Sequence, residues 1–308
     1  MQDASLLAAI DIGSNSCLLE IGHFVGDRLV SQTCRKETIR LGGSLDAQGQ
    51  LSSDAMERGW ACLQRFAPLI ADLARERVRA VATQTLREAT NRALFLARGS
   101  DILGVPIEVI NGEEEARLIY QGVARLLPPS ARRRLVIDIG GRSTELCLGQ
   151  GFEARVTRSV EIGSVAWSLR HFVDGGLRPA QFEAARSSAL ALLQPQAEDF
   201  AATNWEQAYG ASGTAGAISR VLAAQTGVPG LITRTGLTWL QARLQQDGHS
   251  SAVHLAGLRE ELRPVIGGGV SVMQAVFELF GIEQMRVTQG SLRHGLLYGL
   301  RATAPVLP

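Results

Sequence analysis

A twelve-residue pattern occurs twice in this chain, and no other feature narrows the possible folds as far. Asp11-Ile12-Gly13-Ser14-Asn15-Ser16-Cys17-Leu18-Leu19-Glu20-Ile21-Gly22 recurs as Asp138-Ile139-Gly140-Gly141-Arg142-Ser143-Thr144-Glu145-Leu146-Cys147-Leu148-Gly149, with six of the twelve positions identical. Each copy follows an apolar run, at 6–10 or 135–137. An apolar run, an aspartate, a glycine-containing turn and a second alternating apolar run predict a β-hairpin. Glycine at the tip lets backbone N–H groups turn toward an anion, and serine and threonine hydroxyls add donors. Asp11 and Asp138, one at each strand end, supply oxygens able to reach a Mg²⁺ ion or its waters. Two such hairpins predict two related half-domains whose tips face one phosphate group across a cleft. The competing reading is a pair of ordinary tight hairpins in a β-rich protein, which leaves the in-register repeat of Asp and Gly unexplained.

At 308 residues the chain is long enough for two domains of about 150 each. Hydrophobic content of 45% and charged content of 20% suit a soluble globular core. The net charge of +1 gives no global attraction to nucleic acid or to an anionic membrane, so a polyanion would need a local basic lining. Lys36 is the only lysine among 31 basic residues. Arginine makes bidentate phosphate contacts, although a GC-rich coding sequence explains the bias equally well. Cys17, Cys34, Cys62 and Cys147 are scattered without CxxC spacing, which indicates buried free thiols in a reducing cytosol and neither disulfides nor zinc. The N-terminus has no basic leader and no apolar run approaches about 18 residues, so the expectation is a cytoplasmic protein without a membrane span.

Strand-like runs at 5–11, 17–25 and 28–36 predict an opening meander. A helix at 53–75 follows, with Met56, Trp60, Leu63, Ala67 and Ile70 on one stripe. Strands at 78–83 and 106–110 flank a helix at 86–98, the parallel strand–helix–strand type, and a helix at 112–126 ends before Pro128-Pro129. That proline pair is the candidate hinge, and Arg132-Arg133-Arg134 reads as a solvated start to the next strand. The order then repeats: strands at 134–139, 144–149 and 153–160, helices near 163–172 and 179–202, a strand at 206–211 and a helix at 215–226. Helices near 236–247, 256–262 and 270–281, a strand at 284–288 and a helix from 291 close the chain. Meander followed by helix–strand alternation, twice over, is the actin-like (ribonuclease H-like) α/β arrangement of two domains around a cleft. The expected domains are 1–127, completed by about 291–308, and 128–290.

Ser212-Gly213-Thr214 lies between a strand and a helix, where free backbone N–H groups favour phosphate; the same residues are also good capping material. Gly267-Gly268-Gly269 begins an apolar helix, where it either contacts a ligand closely or allows close packing. In Asn111-Gly112-Glu113-Glu114-Glu115-Ala116-Arg117, Asn111 is an N-cap and Glu114 stands where it completes a capping box. Glu115 lies about 100° further round. It is either a solvated helix residue or a carboxylate that orients or deprotonates an attacking water. Arg87, in the first turn after a strand, is either a phosphate ligand at the strand's carboxyl end or part of an exposed helix face with Asn91. The five histidines form no ligand pattern.

Residues 9–16, 83–91, 112–119, 138–146, 212–214 and 290–297 in this order resemble the exopolyphosphatase / guanosine pentaphosphate phosphatase family, of the actin, sugar kinase and heat-shock chaperone superfamily. The resemblance covers nearly the whole chain, and the Glu-Glu-Ala-Arg-Leu-Ile run with the two Asp-Ile-Gly hairpins makes it specific. It implies that Glu115 acts on water and that Arg87 assists it. It implies a metal region at Asp138 and Glu145, joined by Asp11. Ser14, Asn15, Gly140, Gly141, Arg142, Ser143, Thr144, Gly213 and Thr214 would cradle phosphates. It further implies Mg²⁺, with room for a monovalent cation such as K⁺, and a homodimer. Arg142 stands where the family usually has a third glycine. Its side chain either adds a cation to the cradle or swings out and leaves the amides unchanged. The chain's stop at Pro308 resembles the short, two-domain subgroup.

The expected activity is removal of the terminal phosphate of inorganic polyphosphate. The nearest rival substrate is guanosine pentaphosphate. Rivals of other classes are a small-molecule kinase and an actin-like nucleotide-binding module, against which the Glu-Glu-Ala-Arg run argues.

Overall fold

The structure, a computed structural model, describes residues 6–303. The chain divides into two compact units, Met1–Gly122 with Ser291–Pro308, and Val123–Gly290. The expected segments 5–11 and 291–308 therefore run partly outside the described residues.

In the first unit, strands β1 (Leu7–Ile12), β2 (Ser16–Val25) and β3 (Arg28–Thr38) lead into α1 (Ser53–Ile70). Then come β4 (Val78–Ala82), α2 (Gln84–Glu88), α3 (Arg92–Leu103), β5 (Ile107–Val109) and α4 (Gly112–Leu126), within which the division between units falls. The sheet order is β3-β2-β1-β4-β5. β1 is antiparallel to β2 and parallel to β4, which is parallel to β5. β1 occupies the centre with Leu7 to Ile10 all buried, which is why its sequence is continuously apolar rather than alternating.

Helix α1 starts where the Ser52 side chain accepts from the Ala55 N–H at 3.3 Å. Its buried stripe is Met56, Trp60, Leu63, Phe66 and Ile70, with Phe66 taking the place expected of Ala67. It stops at Ile70 rather than 75, because Pro68 removes an N–H from the last turn. The helix expected at 86–98 is two helices. Asn91 breaks it by exchanging two side-chain hydrogen bonds of 3.0 Å with the Leu51 backbone.

The second unit repeats the plan with β6 (Arg133–Ile139), β7 (Thr144–Gln150), β8 (Glu153–Val160), α5 (Ser164–His171), α6 (Pro179–Leu193), β9 (Gln207–Gly210) and α7 (Gly213–Thr226). It continues through β10 (Leu231–Thr233), α8 (Arg234–Asp247), α9 (Ile266–Leu279) and β11 (Gln284–Val287), in sheet order β10-β11-β9-β6-β7-β8. β6 is antiparallel to β7 and parallel to β9, so β6, β7, β8, β9 and β11 reproduce β1 to β5. β10 is an added antiparallel edge of three residues, too short to register as a strand pattern. The expected helix 179–202 ends at Leu193, where Gln194-Pro195-Gln196 forms a 3₁₀ turn. The one at 256–262 is a 3₁₀ segment at Glu260–Val265 containing Pro264. Gly268, inside α9, meets α5 so closely that a Cβ would lie 2.5 Å from the Ser164 carbonyl oxygen, a packing use.

One basic residue corrects the expectation. Arg132 and Arg133 are exposed, but Arg134 is 2% exposed, donates to the Pro128 carbonyl at 2.6 Å and lies over the Tyr209 ring. Three cysteines are buried free thiols, whereas Cys34 is exposed.

Finally α10 (Leu292–Thr303) returns to the first unit and packs on β1, β2 and β4. There it crosses α4 glycine to backbone. A Cβ on Gly295 would lie 2.0 Å from the Leu118 carbonyl oxygen, and one on Gly122 would lie 2.2 Å from that of Ser291. Both units have the expected ribonuclease H-like α/β topology. Among the described residues, no helix is long and apolar enough to cross a membrane.

Candidate active site

The parallel strands of the first unit end side by side, and each delivers a polar group. β1 ends at Asp11-Ile12, β4 runs through Thr83 into α2, and β5 runs through Ile110 and Asn111 into α4. The carboxyl edge of an open α/β sheet is where such folds place ligands, because strand and helix ends leave backbone groups free there.

The turn after β1 is closed by a hydrogen bond from Gly13 N–H to the Ser16 carbonyl at 3.0 Å. Ser14 is buried and Asn15 half-buried at its tip. Residues 39–42 grip the turn from behind. Ile39 and Arg40 both donate N–H to the Asn15 carbonyl at 3.0 Å, and Gly42 donates to Ser14 at 2.7 Å. With those carbonyls held from behind, the amide groups of the turn are fixed rather than mobile.

Glu115 lies in the first turn of α4 and is 7% exposed. Its Oε2 accepts a hydrogen bond from Arg87 Nη1 at 2.7 Å. The same Nη1 donates to the Ile110 carbonyl at 2.9 Å, and Arg87 Nε and Nη2 donate to Gln84 Oε1 at 2.9 and 2.5 Å. Neither residue therefore follows the bland alternative: Glu115 is not a solvated helix residue, nor Arg87 an exposed one. Asn111 caps α4 as expected, accepting from the Glu114 N–H at 2.8 Å. The Glu114 carboxylate does not close a capping box but pairs with Arg117 at 2.7 Å.

Electrostatics single out two acids. Burial pushes the Glu115 carboxyl above its ordinary range, against the opposing pull of the Arg87 charge and hydrogen bond. Burial and then the neighbouring Glu115 push Asp11 up to about 7, although Arg293 and Lys36 pull it down. Two crowded, buried acids are the setting in which a cation or a proton is taken up.

Two further groups stand near this pair. Arg293, on α10, donates to Glu20 Oε2 at 2.8 Å and to Ser291 Oγ at 2.6 Å. Burial, then the Arg293 charge, lowers His294 to about 4, so it is a neutral imidazole within 3.2 Å of Ser291 Oγ. Sequence reasoning assigned no role to Gln84, Glu20 or Arg293. The motif at 290–297 was the available signal for Arg293, the run at 83–91 for Gln84, and the repeated pattern at 11–22 for Glu20.

The second unit carries the matching turn. Gly140 N–H donates to the Ser143 carbonyl at 2.9 Å, the same closure as Gly13 to Ser16. This turn is gripped by the start of α5. Ser164 N–H donates to Gly140 at 2.9 Å and Val165 N–H to Gly141 at 2.8 Å. Gly163 stands so close that a Cβ would lie 2.5 Å from the Arg142 nitrogen. Gly141 and Arg142 are half-buried and Ser143 is buried. Thr144 is fully buried and its hydroxyl donates to the Ile162 carbonyl at 2.6 Å, which ties the hairpin rather than offering a donor.

Asp138 and Glu145 are directly opposed across β6 and β7, so both side chains leave the same face of the sheet. Glu145 is 3% exposed and accepts from Ser159 Oγ at 2.8 Å. Ser212 caps α7 by accepting from the Ala215 N–H at 3.0 Å, which puts Gly213 and Thr214 in the first turn with the helix's free amide groups.

Among the described residues, no three His, Cys, Asp or Glu side chains are grouped to hold a metal. The raised Asp11 beside Glu115 still fits Mg²⁺, which takes one or two carboxylates and fills its remaining positions with water and substrate phosphate oxygens.

Known proteins align with this arrangement. A family profile described as the Ppx/GppA phosphatase family matches residues 28–304. A Vibrio vulnificus protein named guanosine-5'-triphosphate,3'-diphosphate pyrophosphatase is 42% identical over 296 residues, 96% of this chain and 59% of that protein. A Photobacterium profundum protein of the same name is 41% identical over 293 residues, 95% of this chain and again 59% of the relative. The chain thus spans about 59% of the length of these curated relatives. Among solved structures, an exopolyphosphatase from Cytophaga hutchinsonii has the same fold, with a TM-score of 0.87 at 24% identity, covering 97% of this chain and 99% of that one. An exopolyphosphatase-like protein is 26% identical with a TM-score of 0.84, covering 96% of this chain and 99% of its own. The chain belongs to the Ppx/GppA phosphatase family.

Proposed function

We propose that this chain is a phosphohydrolase that removes the terminal phosphate of guanosine pentaphosphate. The observation that carries the reading is the buried Glu115 carboxylate, fixed by Arg87 at the head of the sheet beside a glycine turn whose Ser14 and Asn15 carbonyls are held by residues 39–42. The guanosine substrate takes precedence over polyphosphate, reversing the order expected from sequence, because relatives 41–42% identical carry that name. Inorganic polyphosphate is the second reading, supported by the exopolyphosphatase-like structure at 26% identity. A cytoplasmic homodimer belongs to the same reading.

In the proposed step a water oxygen bonds to the terminal phosphorus and the bridging P–O bond breaks. The leaving oxygen departs with the remaining phosphates, and a water proton passes to Glu115. A carboxylate raised by burial is a better base than an ordinary one. Arg87, held by Gln84 and the Ile110 carbonyl, keeps Glu115 in one orientation and adds a cation near the charge that develops on phosphorus. The Ser14 and Asn15 amides would receive phosphate oxygens, as would those of Gly141, Arg142 and Ser143 and the α7 first turn at Gly213 and Thr214. Mg²⁺, when bound, supplies charge neutralisation of the phosphoryl oxygens. Asp11 would hold it or its waters, with Asp138 and Glu145 as the acidic pair of the second hairpin, and a K⁺ ion is compatible with the same oxygen-rich chemistry.

The test is phosphate release from guanosine pentaphosphate, from polyphosphate, and from ATP with a panel of sugars. The expected order of kcat/KM is guanosine pentaphosphate, then polyphosphate, with no sugar-dependent loss of ATP. No release from either of the first two would reject the reading, and sugar phosphorylation would replace it with a kinase.

A further inference from the structure

Among the described residues, Arg40 is the only non-glycine with a left-handed backbone, at φ 50°. That conformation brings Cβ against the following carbonyl, so it costs arginine energy that it would not cost glycine. The surrounding structure enforces it. Ile39 and Leu41 are both fully packed in the first unit's core, and Ile39, Arg40 and Gly42 all bond backward to the carbonyls of Asn15 and Ser14. With both neighbours anchored inward, the Arg40 side chain is left outside and exposed. Among the described residues it has no hydrogen-bond or ion-pair partner.

The second unit shows that gripping such a turn does not require this conformation. There Gly163 is extended, at φ −157°, and the N–H groups of Ser164 and Val165 grip the Gly140–Gly141 carbonyls from a helix start. Only the first turn is held by a strained residue, and that residue is a cation whose side chain pairs with nothing among the described residues.

We infer that Arg40 is a substrate-binding residue whose guanidinium takes up a phosphate of a polyphosphorylated substrate held at the Gly13–Asn15 turn. The inference rests on the phosphohydrolase reading and deepens it. It makes a substrate with several phosphates a requirement of the first unit, not merely one the unit tolerates. Arginine suits this use because its planar fork binds two phosphate oxygens at once, which the ammonium of lysine does not. Retention of a strained residue at a ligand site is expected where the side chain, rather than the backbone, serves function.

The test is Arg40→Gly, which removes the guanidinium and relieves the backbone. The melting temperature should stay level or rise, since glycine prefers this conformation. Meanwhile kcat/KM for guanosine pentaphosphate should fall at least about tenfold at low salt, the loss expected for one charge-assisted contact. The gap should narrow as salt screens the pair in wild type. Arg40→Lys should recover part of the loss. An unchanged kcat/KM in Arg40→Gly, or a fall accompanied by a lower melting temperature, would overturn the inference, the second by making Arg40 structural. If wild type releases phosphate normally and only this comparison is flat, the inference alone fails. If wild type acts on neither phosphorylated substrate, it fails together with the functional reading.

Discussion

Replacing Glu115 by glutamine separates catalysis from folding. The side chain is 7% exposed, and its carboxylate is less favourable in the fold than in an unfolded chain, because burial outweighs the attraction of Arg87. A carboxyl raised on folding contributes stability that is fully present below its ordinary value of 4.5 and is lost as pH rises through the higher folded value. The ionised form of Glu115 is therefore a burden on the fold, and a neutral glutamine removes it. Against that, Arg87 loses its counter-charge. It keeps the Ile110 carbonyl and Gln84 Oε1 as acceptors, and glutamine retains an oxygen for Nη1. The two effects oppose each other, so the net change in unfolding free energy should stay within about 1 kcal/mol.

Turnover should behave differently. Losing the base should lower kcat by ~10², roughly 2.7 kcal/mol of barrier. The acid limb of the wild-type rate profile should also lie above the ordinary carboxylate range. Phosphate release against pH and urea unfolding at pH 5 and pH 8 measure both. Retained turnover within a few-fold would remove Glu115 from the chemistry. A loss of more than about 3 kcal/mol in stability would make the pair a structural anchor instead. Glu114→Gln is the control. It breaks only the half-exposed pair with Arg117, worth less than about 1 kcal/mol, and should leave the rate largely intact.

Gly295→Ala forces a Cβ to 2.0 Å from the Leu118 carbonyl oxygen and should cost about 3 kcal/mol or more in urea unfolding, whereas Gly299→Ala, whose Cβ would meet only the Arg79 guanidinium at 3.9 Å, should be neutral or stabilising. Asp138→Asn and Glu145→Gln should each raise the Mg²⁺ concentration needed for half-maximal activity; unchanged titrations in both would place the ion with Asp11 alone. Arg142→Gly should raise KM about tenfold or more at low salt and less at high salt if its guanidinium meets phosphate, and a flat KM at all salt concentrations would assign it to the loop's outer side.

What was legible in the sequence was what is local. Both hairpins, their glycine turns and the caps at Asn111 and Ser212 depend on residues within a few positions of one another, so pattern and capping chemistry locate them. The breaks that were missed come from distant partners or short elements. Asn91 ends a helix by binding Leu51, forty positions away, and β10 is three residues on a sheet edge. Arg134 looked solvated because its neighbours are, yet its strand position turns it inward under Tyr209. The site was legible as a set of residues only through resemblance. Spacing alone could not bring Arg87 to Glu115, because that contact depends on β4 and β5 ending side by side. Nothing in the sequence marked Arg40, whose conformation follows from how its neighbours are anchored.

The duplicated hairpin also shows how one scaffold came to hold two different acidic sites. Each copy places an aspartate at the same point before the same hydrogen-bonded turn, so each starts with one carboxylate near free amides. In the second copy the residue opposite Asp138 is Glu145, and a second carboxylate comes from within the hairpin. In the first copy the residue opposite Asp11 is Leu18, which cannot serve. There the second carboxylate is Glu115, brought from α4, and its charge is felt at Asp11. A helix can carry its own orienting partner, and Arg87 on α2 is that partner, whereas the strand-borne Glu145 is held by the Ser159 hydroxyl. A carboxylate paired with a fixed cation and raised by burial suits a base that must act at one orientation. Two acids directly opposed across neighbouring strands suit a ligand pair for a cation. On the proposed reading, the division of labour between the units follows from which element supplied the second acid.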